Sequence, residues 1–175
     1  MRYLMKISYD GSKFYGFQRL NDIRTVQKEL EQALTMINKK DVFIKGAGRT
    51  DRGVHALRQG VSFDLDIKIS ADGLKKAVNA LVKPDIYCRE CMIVDDDFHA
   101  RFSVKKKRYR YKINLGEFNP LKDDYFYQPI FALDIEKMQE VAKLFLGIHD
   151  FKNFVSGERK NTQCIIYSID FEKHN

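Results

Sequence analysis

Arg2-Tyr3-Leu4-Met5-Lys6-Ile7-Ser8-Tyr9 alternates strictly, with Tyr3, Met5, Ile7 and Tyr9 on one side and polar or smaller residues on the other. A period of two is that of a strand with one buried face. Asp10-Gly11-Ser12 breaks the pattern and opens a loop rich in Gly, Lys and aromatics that runs through Gln18. Thr25 then fits a helix N-cap, ahead of Val26, Leu30, Ala33, Leu34 and Ile37 at helical spacing. Val42 to Ile44 is a short apolar run ending in Gly46-Ala47-Gly48, and Gly60 to Leu65 reads as a strand with Val61, Phe63 and Leu65 inward. Ser70 caps a second helix carrying Leu74, Ala77, Val78 and Leu81, Pro84 stops it, and Ile86 to Val94 is again a strand. Strand, helix, strand, strand, helix, strand is the split βαβ, ferredoxin-like order, which RNA-recognition modules also use.

Beyond Val94 the reading continues with a strand over Arg108 to Asn114. A third helix follows, capped by Asp134, striped with Ile135, Met138, Val141, Ala142, Phe145 and Leu146, and stopped by Gly147. Cys164 to Phe171 alternates once more. This resembles the start of a second copy of the same unit, whose last strand would lack a partner, so the chain is expected to stop inside a domain. The predicted class is α/β, α+β in layer terms: a mainly antiparallel sheet with helices on one face.

The chain has 175 residues, 44% hydrophobic and 31% charged, which suits one ordinary domain or two small ones and excludes general disorder. No apolar run approaches the roughly 18 residues of a membrane span, and the N-terminus lacks a secretion signal. Three cysteines cannot all pair, which points to a reducing cytoplasm. Cys88-Arg89-Glu90-Cys91 has the spacing of a redox or zinc pair. Residues three apart in a regular strand face opposite ways, however, so packing cysteines are the expectation.

Lys and Arg number 31 against 24 Asp and Glu, a net charge of +7. Arg101, Lys105, Lys106, Lys107, Arg108, Arg110 and Lys112 fall in one stretch without an acid, and this stretch carries the whole excess. A phosphate contact, an acidic membrane surface and a solvated edge strand all fit such a strip. The interleaved Tyr109 and Tyr111 favour nucleic acid, since they add base-stacking faces to the cations. Strand alternation would send Arg108 and Arg110 to the face opposite the two tyrosines.

The densest candidate for chemistry is Gly46-Ala47-Gly48-Arg49-Thr50-Asp51-Arg52-Gly53-Val54-His55. It is not a phosphate loop, because no Lys-Ser or Lys-Thr pair follows the glycines. Asp51 stands between Arg49 and Arg52, whose charges favour the ionised carboxylate, suited to act as base or nucleophile. From chemistry alone, a structural turn held by an Asp–Arg pair describes these residues better than a catalytic centre does.

Gly48-Arg49-Thr50-Asp51-Arg52-Gly53-Val54-His55-Ala56 resembles the G-R-T-D-A-G-V-H-A signature of the TruA family of tRNA pseudouridine synthases. Four further segments agree in order: Tyr9 to Gln18, Asp97-Phe98-His99-Ala100-Arg101-Phe102-Ser103, Arg108-Tyr109-Arg110-Tyr111, and Leu146-Gly147-Ile148-His149-Asp150-Phe151. The resemblance implies an isomerase that converts uridine to pseudouridine at positions 38 to 40 of the tRNA anticodon stem-loop, without metal or organic cofactor, acting as a homodimer. It implies two ferredoxin-like halves, residues 1–100 with the aspartate loop and 101–175 as the start of the second, with the active-site cleft between them. By the same resemblance Asp51 is the catalytic aspartate, Tyr109 contacts the flipped uridine, and Arg49 helps bring the base into the pocket. Arg101, Lys105, Lys106, Lys107 and Arg108 are the expected RNA-backbone contacts. Two positions depart from the family pattern: Arg52 stands where Ala is usual, and Phe17 replaces a usual Trp. The family also continues past position 175 into a segment with a Met-Val-Arg motif. A catalytically inert RNA-binding module is the rival expectation.

Overall fold

A computed structural model describes residues 1–158 and 161–174. They gather into two compact units, Met1–Arg110 and the chain from Tyr111 onward.

In the first unit, β1 (Arg2–Tyr9) lies inside a four-stranded antiparallel sheet of order β2-β3-β1-β4, with β2 at Lys45–Gly46, β3 at Ala56–Asp64 and β4 at Ile86–Val94. The alternation of β1 is realised directly: Tyr3, Met5 and Ile7 are fully buried and Tyr9 nearly so. Helices α1 (Val26–Asn38) and α2 (Ala71–Val82) cover that face, adding Val26, Leu30, Leu34, Leu74 and Val78 to one core. Both predicted caps form. Thr25 Oγ1 accepts from Lys28 N at 3.3 Å and Ser70 Oγ from Gly73 N at 3.1 Å, each satisfying an orphan donor of the first turn. This is the ferredoxin-like arrangement expected from the element order.

Strand β3 begins at Ala56, four residues before the apolar pattern does, because the glycine-rich loop feeds straight into pairing with Tyr9. Strand β4 carries a second departure. Its register against β1 slips between Lys6↔Glu90 and Ile7↔Cys88, so one extra residue bulges there. The bulge overturns the opposite-face expectation for the cysteines: Cys88 is buried and Cys91 packs against the same core. Asn79 of α2 takes both backbone groups of Cys88, donating from Nδ2 to its carbonyl at 3.0 Å and accepting its N–H at 2.7 Å.

From Tyr111 onward, helix α3 (Ile135–Lys143) precedes an antiparallel pair, β5 (Gly147–Asp150) and β6 (Gln163–Ile166). Asp134 Oδ1 caps α3 by accepting from Lys137 N at 3.0 Å. Phe145, Phe151 and Phe154 cluster with ring centroids 5.9–6.3 Å apart, so the end of the predicted stripe joins the loop after β5. No described residue in this unit is fully buried.

The strand expected over Arg108 to Asn114 is not formed. Only Ile113 makes a bridge, an isolated parallel one to Tyr127. Alternation of side chains is a necessary mark of a strand, but a ladder also needs a neighbouring backbone. Lys112 O accepts from Tyr127 N at 2.8 Å and Asn114 N donates to Tyr127 O at 2.9 Å, but the described residues add no ladder over 104–111, and the predicted division of tyrosines and arginines between two sheet faces goes with it. Among the described residues, no helix is long and apolar enough to cross a membrane.

Candidate active site

The turn that carries Asp51 is held by a second loop forty residues earlier in the chain. Phe17 N donates to Thr50 O at 2.9 Å, and the Tyr9 hydroxyl meets Thr50 Oγ1 at 2.8 Å. Gly11 N lies 3.1 Å from His55 Nδ1, which also sits 3.1 Å from Asp10 Oδ1. Gln59 closes the near side by donating to Gly48 O, and Val54 N turns back to Asp51 O at 3.2 Å. Two glycines make this approach possible. A Cβ on Gly11 would fall 2.2 Å from Val54 O, and one on Gly16, whose φ is +97°, 2.9 Å from Thr50 O. The opening loop and the glycine-rich loop are thus one structure, and His55 serves in joining them.

Phe17 belongs to this joint as well. Its ring is buried, 6.5 Å from that of Tyr9, and a Cβ on Gly46 would strike it at 2.6 Å. It supports the loop from the core side, where its size relative to Trp concerns packing alone.

On this scaffold the Asp51 side chain is exposed, and among the described residues no cation stands within 4 Å of it. The turn is therefore not held by an Asp–Arg pair, and the pairing expected of the two flanking arginines is absent. Arg49 is exposed. Arg52 has turned to Tyr15, with Cζ 4.4 Å from the ring centroid and Nη1 3.3 Å from the hydroxyl. Backbone hydrogen bonds do the holding, which leaves the Asp51 oxygens available for an incoming group.

Of the basic strip, Lys107 reaches the loop. A Cβ built on Gly48 would lie 3.2 Å from its Nζ, so the ammonium rests over the glycine at the head of the signature. Lys105, Arg108 and Tyr109 are exposed, Tyr109 to 75%, and Tyr109 makes no ring contact or hydrogen bond with the described residues. Arg101 is also exposed, its Cζ 6.0 Å from the Phe102 ring, and Lys106 is exposed beside Lys107. Asp51, Arg49 and Lys107 thus share one loop surface, while Tyr109 stands two residues beyond on an unpaired segment.

The contributions of Tyr9, Gly11, Gly16 and Thr50 were missed from sequence. The signal available was the density of Gly and aromatics in Tyr9 to Gln18, but nothing in it names a contact partner. The thiols are not a second centre. Burial pushes Cys88 up to about 11 and, with its neighbour Cys88, Cys91 up to about 12, so neither forms thiolate at neutral pH. No group of three or more His, Cys, Asp or Glu among the described residues could hold a metal ion.

Known proteins resemble this chain in sequence. The sequence profile of the family described as tRNA pseudouridine synthase matches residues 5–103, from within β1 through both loops to the start of the basic strip. A protein of Lactobacillus helveticus (strain DPC 4571) named tRNA pseudouridine synthase A is 44% identical over 98% of this chain and 67% of its own length. Proteins of the same name from Staphylococcus carnosus (strain TM300) and Listeria monocytogenes serotype 4a (strain HCC23) are 46% and 44% identical, over 59% and 70% of their lengths. The chain spans about two thirds of the length of these relatives. A match over more than half the chain, centred on the two loops that build the Asp51 turn, leaves one conclusion: the chain belongs to the tRNA pseudouridine synthase family, a family of isomerases.

Proposed function

We propose that the protein isomerises uridine to pseudouridine in the anticodon stem-loop of tRNA, at positions 38 to 40, with Asp51 as the nucleophile. The observation that carries this reading is the Asp51 carboxylate itself, exposed and unpaired among the described residues on a turn fixed by backbone hydrogen bonds. A carboxylate held that way reaches a substrate without first giving up a salt bridge. In the reaction the N1–C1′ bond breaks, the uracil turns, C5 bonds to C1′, the C5 hydrogen leaves as a proton, and N1 takes up a proton, so the product is an isomer of the substrate. Nothing is oxidised or reduced, and no water is consumed, so the site needs no second carboxylate of the glycosidase kind.

The reacting nucleotide must leave its stack, at a cost of about a few kcal/mol. Arg49, exposed beside Asp51, and the Lys107 ammonium over Gly48 offer cations to the extruded nucleotide and its phosphates, which offsets that cost. Tyr109 presents an open ring for stacking on the flipped base and a phenol for the C5 proton. Arg101, Lys105, Lys106 and Arg108 extend the same basic strip along the RNA backbone. The family also suggests a homodimer, which sedimentation of the protein alone and with tRNA would reveal.

The test is tritium release from tRNA labelled at uridine C5. Isomerisation expels that hydrogen, and binding alone does not. Release in proportion to pseudouridine formed is expected; tight binding without release would make this protein an RNA-binding module.

A further inference from the structure

Among the described residues, three arginines lie within 5.3 Å of a ring centroid, and two of them are neutralised. Arg19 lies 5.3 Å from the Phe43 centroid with Glu31 at 3.3 Å. Arg24 lies 4.5 Å from Phe14 and pairs with Glu29 and with Asp85, the latter at 2.8 Å. Arg52, 4.4 Å from Tyr15, is the closest stacked of the three, yet no acid stands within 4 Å of it among the described residues. Its own neighbour Asp51 is left alone although the next residue in the chain would reach it easily. Tyr15 is half-exposed and Arg52 exposed, so neither contact exists to fill the core.

Stacking fixes the plane of a guanidinium, and the hydrogen bond from Nη1 to the Tyr15 hydroxyl at 3.3 Å fixes its rotation. The Nε and Nη2 N–H groups donate to no described residue and form a fork whose geometry matches two oxygens of one phosphate. Tyr15 itself is held, since Tyr15 N donates to Arg24 O at 2.9 Å and the following Gly16 is pressed against Thr50. The platform is therefore tied to the Asp51 turn. We infer that Arg52, oriented by Tyr15, is a phosphate-binding residue that grips the RNA backbone next to the nucleotide presented to Asp51. This rests on the proposed tRNA activity and adds to it a contact that an alanine at this position could not make.

The experiment compares the full-length protein with Arg52→Ala, Arg52→Lys, Tyr15→Ala and the double variant Arg52→Ala/Tyr15→Ala. The probe is a tRNA carrying cytidine at the target uridines, so that binding is read without turnover, alongside steady-state isomerisation of ordinary tRNA. Arg52→Ala is expected to weaken binding about three- to tenfold and to lower the slope of log affinity against log salt by about 0.7–0.9, one phosphate's worth. It should raise KM and leave kcat within about twofold, the mark of a contact made equally before and during the reaction. Arg52→Lys should keep the salt slope but lose affinity, because an ammonium neither stacks nor forks. Tyr15→Ala should weaken the parent and add little once Arg52 is gone. If Arg52→Ala matches the parent in affinity, slope and KM while the parent makes pseudouridine, the phosphate contact is refuted and the activity stands. If the parent makes none but the slope still drops, the activity is refuted and the contact stands.

Discussion

Gly11→Ala tests how the Asp51 turn is held. A methyl at that position would fall 2.2 Å from Val54 O, 2.3 Å from Val54 C and 2.8 Å from Gly53 C, all of them backbone atoms that cannot rotate away. Ordinary contact begins near 3.4 Å, so the opening loop and the Asp51 loop must part by about 1.2 Å. The Gly11 N to His55 Nδ1 contact at 3.1 Å lies on that seam and would be the first to lengthen. Overpacking of this kind costs about 1–3 kcal/mol, which lowers the melting temperature by about 2–12 °C for a chain of this size. Displacing a catalytic group by about 1 Å slows chemistry on the order of 100-fold. The assay pairs thermal denaturation with single-turnover isomerisation. Gly60→Ala is the control, because a Cβ there meets nothing closer than 3.7 Å. A Gly11→Ala protein that melts and reacts like the parent would refute the idea that this seam positions Asp51.

Asn79→Leu should destabilise the protein by about 2–4 kcal/mol, because it leaves the Cys88 N–H and C=O buried and unpaired; an unchanged urea midpoint would count against that pairing. Alkylation at pH 8 should label exposed Cys164 quickly and leave Cys88 and Cys91 largely intact. Their raised thiol pKa values keep both protonated until the pH nears 11, and equal labelling of all three by mass spectrometry would contradict this. Tyr109→Phe should keep tRNA affinity and slow a late step, whereas Tyr109→Ala should also lose about 1–3 kcal/mol of stacking; identical parent-like rates in both would remove Tyr109 from the site.

The frame was legible wherever a residue's structure is set by its immediate neighbours. Thr25, Ser70 and Asp134 each cap the helix that follows, and Tyr3, Met5 and Ile7 fill one face of β1. Legibility failed where the outcome depended on a distant partner. Arg108 to Asn114 alternates like a strand, but only its end, around Ile113, meets a described backbone partner, at Tyr127. Cys88 and Cys91 face the same core because β4 slips one residue against Lys6 and Ile7, which local spacing cannot reveal. Asp51 was recognisable by its loop, yet its support comes from Tyr9, Gly11 and Phe17. Arg52, adjacent in sequence, chose an aromatic ring over the carboxylate beside it.

The central claim is that Asp51 does the chemistry, and Asp51→Asn tests it with the least disturbance. The amide keeps the shape of an exposed side chain that makes no ion pair among the described residues, so fold and tRNA affinity should stay within about twofold of the parent. What it removes is the anion. Single-turnover tritium release from C5-labelled tRNA should fall by at least about 1000-fold, while equilibrium binding of the same tRNA is unchanged. Release within about tenfold of the parent by a bound, folded Asp51→Asn protein would contradict the account and place the nucleophile elsewhere.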